Sequence, residues 1–212
     1  MHIPDGFLNV ATVATTYAVS AGSVSYAVKA ANKKLREKHV PLMGVLAAFI
    51  FAAQMLNFPV AGGTSGHLIG AALAAILLGP WAAVLIMSCV LLAQSLIFQD
   101  GGLLALRANI FNMGIIASFS GYYLYRLAIA LLGEGRKGRM ISGFIGAWGS
   151  VFLASIVCAI ELAVSGASPM AVVLPAMAGF HALIGIGEGL ITGAALSMVL
   201  ATRADLLQLQ KI

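Results

Sequence analysis

Residues 67–98 are apolar almost without a break, and runs of the same kind recur over most of the 212-residue chain. That feature decides the fold class. The runs lack the polar–apolar alternation of a membrane barrel strand. Together they are long enough for helices that cross a hydrocarbon core, each of which needs about 20 residues. Composition agrees: 61% of residues are hydrophobic and 9% charged, against roughly 25% charged in a soluble domain. The expected fold is an all-α integral membrane protein.

The sequence predicts seven transmembrane helices. They cover roughly 11–31, 40–57, 67–79, a stretch after Gly79-Pro80 that ends at 98, 109–132, 140–165 and 179–202. Residues 67–98 are too long for one span, which places a break at Gly79-Pro80. Charge supports the split, because basic residues mark the cytoplasmic side. With the amino terminus outside and the carboxy terminus cytoplasmic, the clusters at 29–38, 126–139 and 203–211 all fall inside. They hold 11 of the 12 lysines and arginines, leaving Arg107 outside. A single helix over 67–98 would move Arg136, Lys137 and Arg139 to the wrong side. The net charge of +5 therefore reflects topology and does not point to nucleic acid. Cys89 and Cys158 lie inside apolar runs, so free thiols are expected. The first basic residue, Lys29, follows the first apolar stretch, unlike the pattern of a cleaved signal peptide. Met1 is expected to be retained, and the bulk of His2 favours the same outcome. The whole chain, 1–212, reads as one transmembrane domain.

This topology gathers the polar residues at one end. The third segment amounts to about 20 Å of helix, against a hydrocarbon core of about 30 Å. The Gly/Pro-rich loop before it, 58–67, must dip below the membrane surface, where irregular backbone is tolerated only when buried or lining a cavity. His67 is thereby placed in a recessed outer pocket. On the same side lies the polar segment 1–7, Met-His-Ile-Pro-Asp-Gly-Phe, whose Pro4-Asp5-Gly6 turn can bring it down into that pocket. A free amino terminus followed by histidine is a chelator. The Met1 amine, the His2 amide nitrogen and His2 Nδ1 close a five- and a six-membered ring on one ion, and His67 can supply a fourth nitrogen. A planar nitrogen set suits Ni(II) or Cu(II). Thr64 and Ser65 in the 58–67 loop, with Asp100 and His181, are candidates to orient the ligands or gate the site. Glu161 and Glu188, within membrane segments, are further functional candidates. Gln54, Asn57 and Gln94 read as links between helices, and His39 as a solvated residue. The glycines at 185, 189 and 193 read as a close-packing row.

Gly63-Thr64-Ser65-Gly66 also fits the short serine motif of rhomboid intramembrane proteases, with Ser65 as nucleophile and His181 as base. That reading leaves Met1-His2 without a role. A metal-independent channel or scaffold with structural histidines is a third reading.

Met1-His2-Ile3-Pro4-Asp5-Gly6, Gly62-Gly63-Thr64-Ser65-Gly66-His67, the Asp100-Gly101-Gly102 to Asn109-x-x-Asn112-Met113 stretch and the run from His181 to Gly189 resemble the substrate-capture (S) component of energy-coupling-factor transporters for nickel and cobalt. The resemblance covers nearly the whole chain. It implies a metal held by the Met1 amine, the His2 amide and imidazole nitrogens and the His67 imidazole. Pro4-Asp5 is closer to the nickel branch; the cobalt branch tends to carry Met-Glu there. Arg107 departs from the small residue expected at its position; it either pairs with Asp100 and stabilises the closed loop or alters access to the site. The resemblance further implies Ni(II), or Co(II), as transported substrate and the plasma membrane of a prokaryote as location. Its partners would be a transmembrane coupling subunit, two ATPase subunits and a small accessory membrane protein. The chain has no Gly-x-x-x-x-Gly-Lys-Ser/Thr loop, so it is read as a binding subunit and not as an enzyme.

Overall fold

The computed structural model describes residues 1–34, 39–203 and 206. Arg36, Lys38 and Lys211 of the predicted basic clusters lie outside them. Seven helices are present among the described residues. They are α1 Val10–Lys34, α2 Val40–Gln54, α3 Ala71–Leu78, α4 Pro80–Phe98, α5 Leu106–Leu132, α6 Arg136–Val164 and α7 Met170–Thr202. The last four are long and apolar enough to cross a membrane, and α2 is a shorter apolar helix. Large apolar side chains face outward along them, such as Leu131 at 79% and Met198 at 70% exposure. A face of this kind matches lipid, whereas water-facing surfaces hold far smaller apolar patches.

Local chemistry sets the helix ends. Asn9 Oδ1 accepts the Thr12 N–H at 2.8 Å and caps α1. Gly79, at φ +87°, separates α3 from α4, and Pro80 opens α4, where its missing N–H costs nothing. The expected break is thus where the chain turns. All eight residues of α3 are buried, as suits a helix that is apolar all round. At its flank a Cβ on Gly121 of α5 would meet Ala72 at 2.7 Å.

The α6–α7 pair is closely packed. A Cβ on Gly185 would stand 2.9 Å from Trp148 Cδ1, and one on Gly189 2.5 Å from Phe144 Cδ2. The Trp148 indole N–H donates to the Ala182 carbonyl at 3.0 Å. The row of small residues therefore works as packing, as expected.

Four features differ from the sequence reading. The 58–67 loop folds into a two-stranded antiparallel ribbon, β1 Phe58–Val60 with β2 Thr64–Gly66, pairing Phe58 with Gly66 and Val60 with Thr64. The fold is therefore helical with one small ribbon. The third helix begins at Ala71 because Gly70, at φ +79°, breaks the backbone before it; His67 lies in the irregular stretch leading in. The seventh helix begins at Met170, with Pro175 inside it. Proline there removes one hydrogen bond near the helix start, a loss that membrane helices tolerate when neighbours pack around it. Two wide π-helical turns also appear, over Gln94–Phe98 and Ile110–Ile116, and such turns recur at functional sites. His39, expected to be solvated, is buried at the start of α2.

Candidate metal centre

The amino-terminal peptide enters the bundle, with Met1, His2 and Ile3 all buried. Four sets of polar contacts fix it. The Asn109 side-chain amide reads the Ile3 backbone on both sides, Oδ1 accepting its N–H at 2.9 Å and Nδ2 donating to its carbonyl at 3.1 Å. The Gly102 N–H donates to the same carbonyl at 2.9 Å. Asp5 accepts the N–H groups of Leu103, Leu104 and Ala105 at 2.8–3.0 Å, just ahead of α5, where unpaired donors favour an anion. Thr64 Oγ1 donates to the His2 carbonyl at 3.3 Å. Gly101, at φ +89°, must lack a side chain, since a Cβ would lie 3.2 Å from the His2 ring and 3.0 Å from Asn109 Nδ2.

These contacts place the Met1 nitrogen 2.7 Å from His67 Nε2. Metal–nitrogen bonds of about 2.0 Å at right angles put adjacent nitrogens about 2.8 Å apart. The Met1 nitrogen also donates to the Ser65 carbonyl and lies 3.2 Å from Ser65 Oγ. The His2 amide N–H donates to the same hydroxyl at 3.2 Å. The two imidazoles stack, with centroids 4.5 Å apart.

Hydrogen bonding assigns both tautomers. His67 Nδ1 faces the Leu68 carbonyl at 2.7 Å. A carbonyl only accepts, so Nδ1 carries the hydrogen and Nε2 keeps its lone pair. His2 is fixed by a longer chain. Gln54 Nε2 donates to the Ile69 carbonyl at 2.7 Å, and Gln94 Nε2 donates to Gln54 Oε1 at 3.1 Å. Gln94 Oε1 therefore faces His2 Nε2, at 3.0 Å, and must receive its hydrogen. His2 Nδ1 is left buried, with a lone pair and no donor. Fixing a ligand's tautomer through its other ring nitrogen is the usual device of metal centres.

Burial sets the charges. It pushes the Met1 amine down from 8.0 to about 5, so near pH 7 the amine is neutral and has a lone pair to give. Burial, with the amine charge second, pushes His2 down to about 3 and holds His67 well below the ordinary histidine range. Burial raises Asp100. Asp100 Oδ1 lies 3.4 Å from His2 Nδ1; with His2 neutral this is a lone pair beside a carboxylate and not an ion pair. The centre therefore holds more lone pairs than hydrogens, an arrangement that a cation relieves. Among the described residues, no three His, Cys, Asp or Glu side chains gather closely enough to hold a metal by themselves.

Of the residues singled out from sequence, the structure brings together Met1, His2, Thr64, Ser65, His67 and Asp100. His181 lies within electrostatic reach of His67 and the Met1 amine but is not bonded to them. Its Nδ1 bonds the Met177 carbonyl at 2.9 Å, and among the described residues its Nε2 is buried without a partner and it bonds none of Met1, His2, Ser65 or His67. The Ser65–His181 pair that a protease needs is thus not formed. Arg107 lies over the Tyr17 ring, 5.1 Å from its centroid; Asp100 is bonded by Asn57 instead, at 3.0 Å. Glu188 accepts the Ile69 and Gly70 N–H groups at 2.5 and 2.8 Å and so anchors the stretch that carries His67. Glu161 accepts from Asn112 Nδ2 at 2.6 Å. Sequence reasoning missed Asp5 and the Gln54–Gln94 chain as parts of the site, whereas Asn109 bonds backbone beside the outer pocket, as its position there led one to expect. The signal for Asp5 was its place in the Pro-Asp-Gly turn.

Comparison with known proteins bears on the family and the fold. Residues 2–206 match the family described as cobalt uptake substrate-specific transmembrane region, CbiM. The chain belongs to the CbiM family. Its relatives include a putative fused nickel transport protein of Archaeoglobus fulgidus, 44% identical over 98% of this chain and 68% of that longer protein. A putative metal transport protein of Haloquadratum walsbyi is 40% identical over 97% of this chain and 93% of its own length. The cobalt transport protein CbiM of Sorangium cellulosum is 30% identical over 98% and 94%. The fold of this CbiM-family chain is that of a truncated transition metal transporter solved by crystallography, with a TM-score of 0.88 and 39% identity over 95% of this chain and 99% of that one.

Proposed function

We propose that this protein captures Ni(II), or Co(II), at the outer face of a prokaryotic plasma membrane for import. Four nitrogens hold the ion: the Met1 amine, the His2 amide, His2 Nδ1 and His67 Nε2. The observation that carries this reading is the 2.7 Å approach of the Met1 nitrogen to His67 Nε2, beside a buried His2 Nδ1 with no donor. Relatives named for nickel, cobalt and transition-metal transport support the choice of metal. A planar nitrogen set favours Ni(II) within that group.

In this reading seven segments span the bilayer with the amino terminus outside, as the distribution of basic residues favours. The His2 amide proton leaves as the ion binds, since a bound cation lowers the pKa of its ligands. Import draws on partners that hydrolyse ATP: a transmembrane coupling subunit, two ATPases and a small accessory membrane protein. Inward release requires the amide to regain its proton and His67 to withdraw, so the ribbon that carries Thr64 and Ser65 is the moving part.

The test is an amino terminus lengthened by one residue. The extension removes the terminal amine from the chelate and leaves the helices intact. Elemental analysis of the purified protein, with its visible absorption spectrum, should show nickel and a weak planar-Ni(II) band in the parent and neither in the extended form. Equal nickel content in both would defeat the proposal.

A further inference from the structure

Asp100 is placed beside the four nitrogens by an unusual piece of backbone. The wide turn Gln94–Phe98 ends at Gln99, whose φ of +54° puts a non-glycine residue in the left-handed region. Such conformations persist only where the surroundings enforce them, and they cluster at ligand-binding sites. The turn closes when the Asp100 N–H donates to the Gln94 carbonyl at 3.1 Å. Gln94 is the residue that fixes the His2 tautomer, so one turn sets both the His2 ring and the Asp100 carboxylate.

The carboxylate itself is divided. Oδ2 accepts from Asn57 Nδ2 at 3.0 Å, and Oδ1 is thereby aimed at His2 Nδ1, 3.4 Å away. The Asp100 side chain keeps 19% exposure, while that of His2 keeps 3%. Asp100 also lines a cavity of about 830 Å³ that reaches His2 and Ser65. Asp5 lines the same cavity, but its carboxylate is engaged by three backbone N–H groups. Asp100 Oδ1 has no such donor among the hydrogen bonds of the site. It is the partly solvated negative atom nearest the buried nitrogens.

We infer that Asp100 receives the cation from the cavity, passes it to the four nitrogens and then remains as the counter-charge of the complex. This rests on the four-nitrogen reading above. A divalent ion bound to one deprotonated amide carries a net single positive charge, and one carboxylate at Oδ1 distance balances it. Asp100 thus acts on capture rate and charge balance, while the nitrogens supply geometry. A cleft lined by one sign of charge raises association rates by about 10- to 1000-fold, and a single carboxylate belongs at the low end of that range.

The experiment is stopped-flow association of Ni(II) with the purified full chain, followed at the visible band over a series of salt concentrations. Asp100→Asn keeps the size of the side chain and removes its charge. The expected result is association slowed by about tenfold, with a flattened dependence on ionic strength and the same final absorption band. Asn57→Ala frees the carboxylate but keeps its charge, so its rate should retain the parental salt dependence. Unchanged association and salt dependence in Asp100→Asn, with the band intact, would overturn the role of Asp100 alone. So would an altered band, because Asp100 would then be a ligand or a structural prop. A parent protein that takes up no Ni(II) would overturn the four-nitrogen reading, and this role with it.

Discussion

The contact face between α6 and α7 and the amino-terminal peptide are both buried in the same bundle, yet they are held there in opposite ways. Between α6 and α7 the contacts are close and apolar, with glycines at 185 and 189 lying against Trp148 and Phe144. The peptide is held instead by directional bonds from Asp5, Thr64, Asn109 and Gly102. Dense packing resists small displacement. A set of hydrogen bonds, each worth about 1 kcal/mol net, can be exchanged one at a time. Under the proposed function, holding an ion and later releasing it takes a rigid frame and a separable clasp, and the two regions would divide those tasks.

The sharpest way to break this contrast is to remove a ligand and watch the frame. His67→Ala takes away one of the four proposed nitrogens. Nickel affinity should fall by more than the roughly 10- to 100-fold that partners outside the ligand shell are worth, as measured by equilibrium dialysis. The helical circular dichroism and thermal midpoint should hardly move, because His67 belongs to the clasp. A large loss of stability would mean that clasp and frame are one structure. The converse test is Gly189→Leu. Its side chain would drive into Phe144, where even a Cβ comes within 2.5 Å, and overpacking of this kind costs about 1–3 kcal/mol. The thermal midpoint should drop, while the fraction that remains folded binds nickel as the parent does.

The same division explains what the sequence made legible. Apolar runs, the Gly79-Pro80 break and the spaced glycines at 185, 189 and 193 are local patterns, and they placed the helices. Their ends were harder, since Pro175 reads locally as a boundary and only the surrounding bundle lets α7 continue through it. In the site, Met1-His2 was legible because a chelating terminus is a local motif, and His67 because the loop before it is glycine-rich. Asp5 was not. It acts on backbone about 100 residues away in sequence, and its residue type carries no signal for a partner so distant. The role of Arg107 stayed open for the same reason: its ring partner, Tyr17, comes from α1.

A milder probe loosens the clasp without touching a ligand. Asp5→Ala removes the acceptor of three backbone N–H groups and leaves Met1, His2 and His67 in place. Nickel affinity should fall by about 10- to 100-fold, mostly through faster dissociation, since the peptide then leaves more often. Asp5→Asn keeps one acceptor oxygen and should lose less. Equal losses in both variants would show that charge, and not the number of accepted bonds, is what holds the peptide.

Acidity tests the buried amine. Its pKa is lowered from 8.0 to about 5, so between those values the unfolded chain binds a proton that the folded one does not. Stability contributed by the docked terminus therefore rises with pH across that window and falls as pH drops towards 5. Metal capture near pH 7 then releases about one proton, that of the His2 amide, because the amine is already neutral. Below about pH 5 a second proton must be displaced, and affinity should fall more steeply. Proton release during nickel titration, measured in buffers of different ionisation enthalpy, reads the number directly. Release of two protons at pH 7 would mean that the terminus spends its time in water, charged, and docks only with the ion.

The smallest expected effect comes from the chain of amides behind His2. Gln94→Leu removes the acceptor that holds the hydrogen on His2 Nε2, so the ring can place its hydrogen on Nδ1 instead, the atom proposed to bind the ion. That tautomer must be reversed before capture, and affinity should fall by roughly tenfold, the lower end of what an outer partner is worth. Gln54→Leu is one bond further back. Gln94 would lose the acceptor for its Nε2 but could still offer Oε1 to His2, so the loss should be smaller than for Gln94→Leu. A loss from Gln54→Leu as large as that from Gln94→Leu would show that the clasp is fixed as a unit, back to the Ile69 carbonyl beside the Glu188 anchor. The line between clasp and frame would then have to be drawn behind α2 and α4 instead of in front of them.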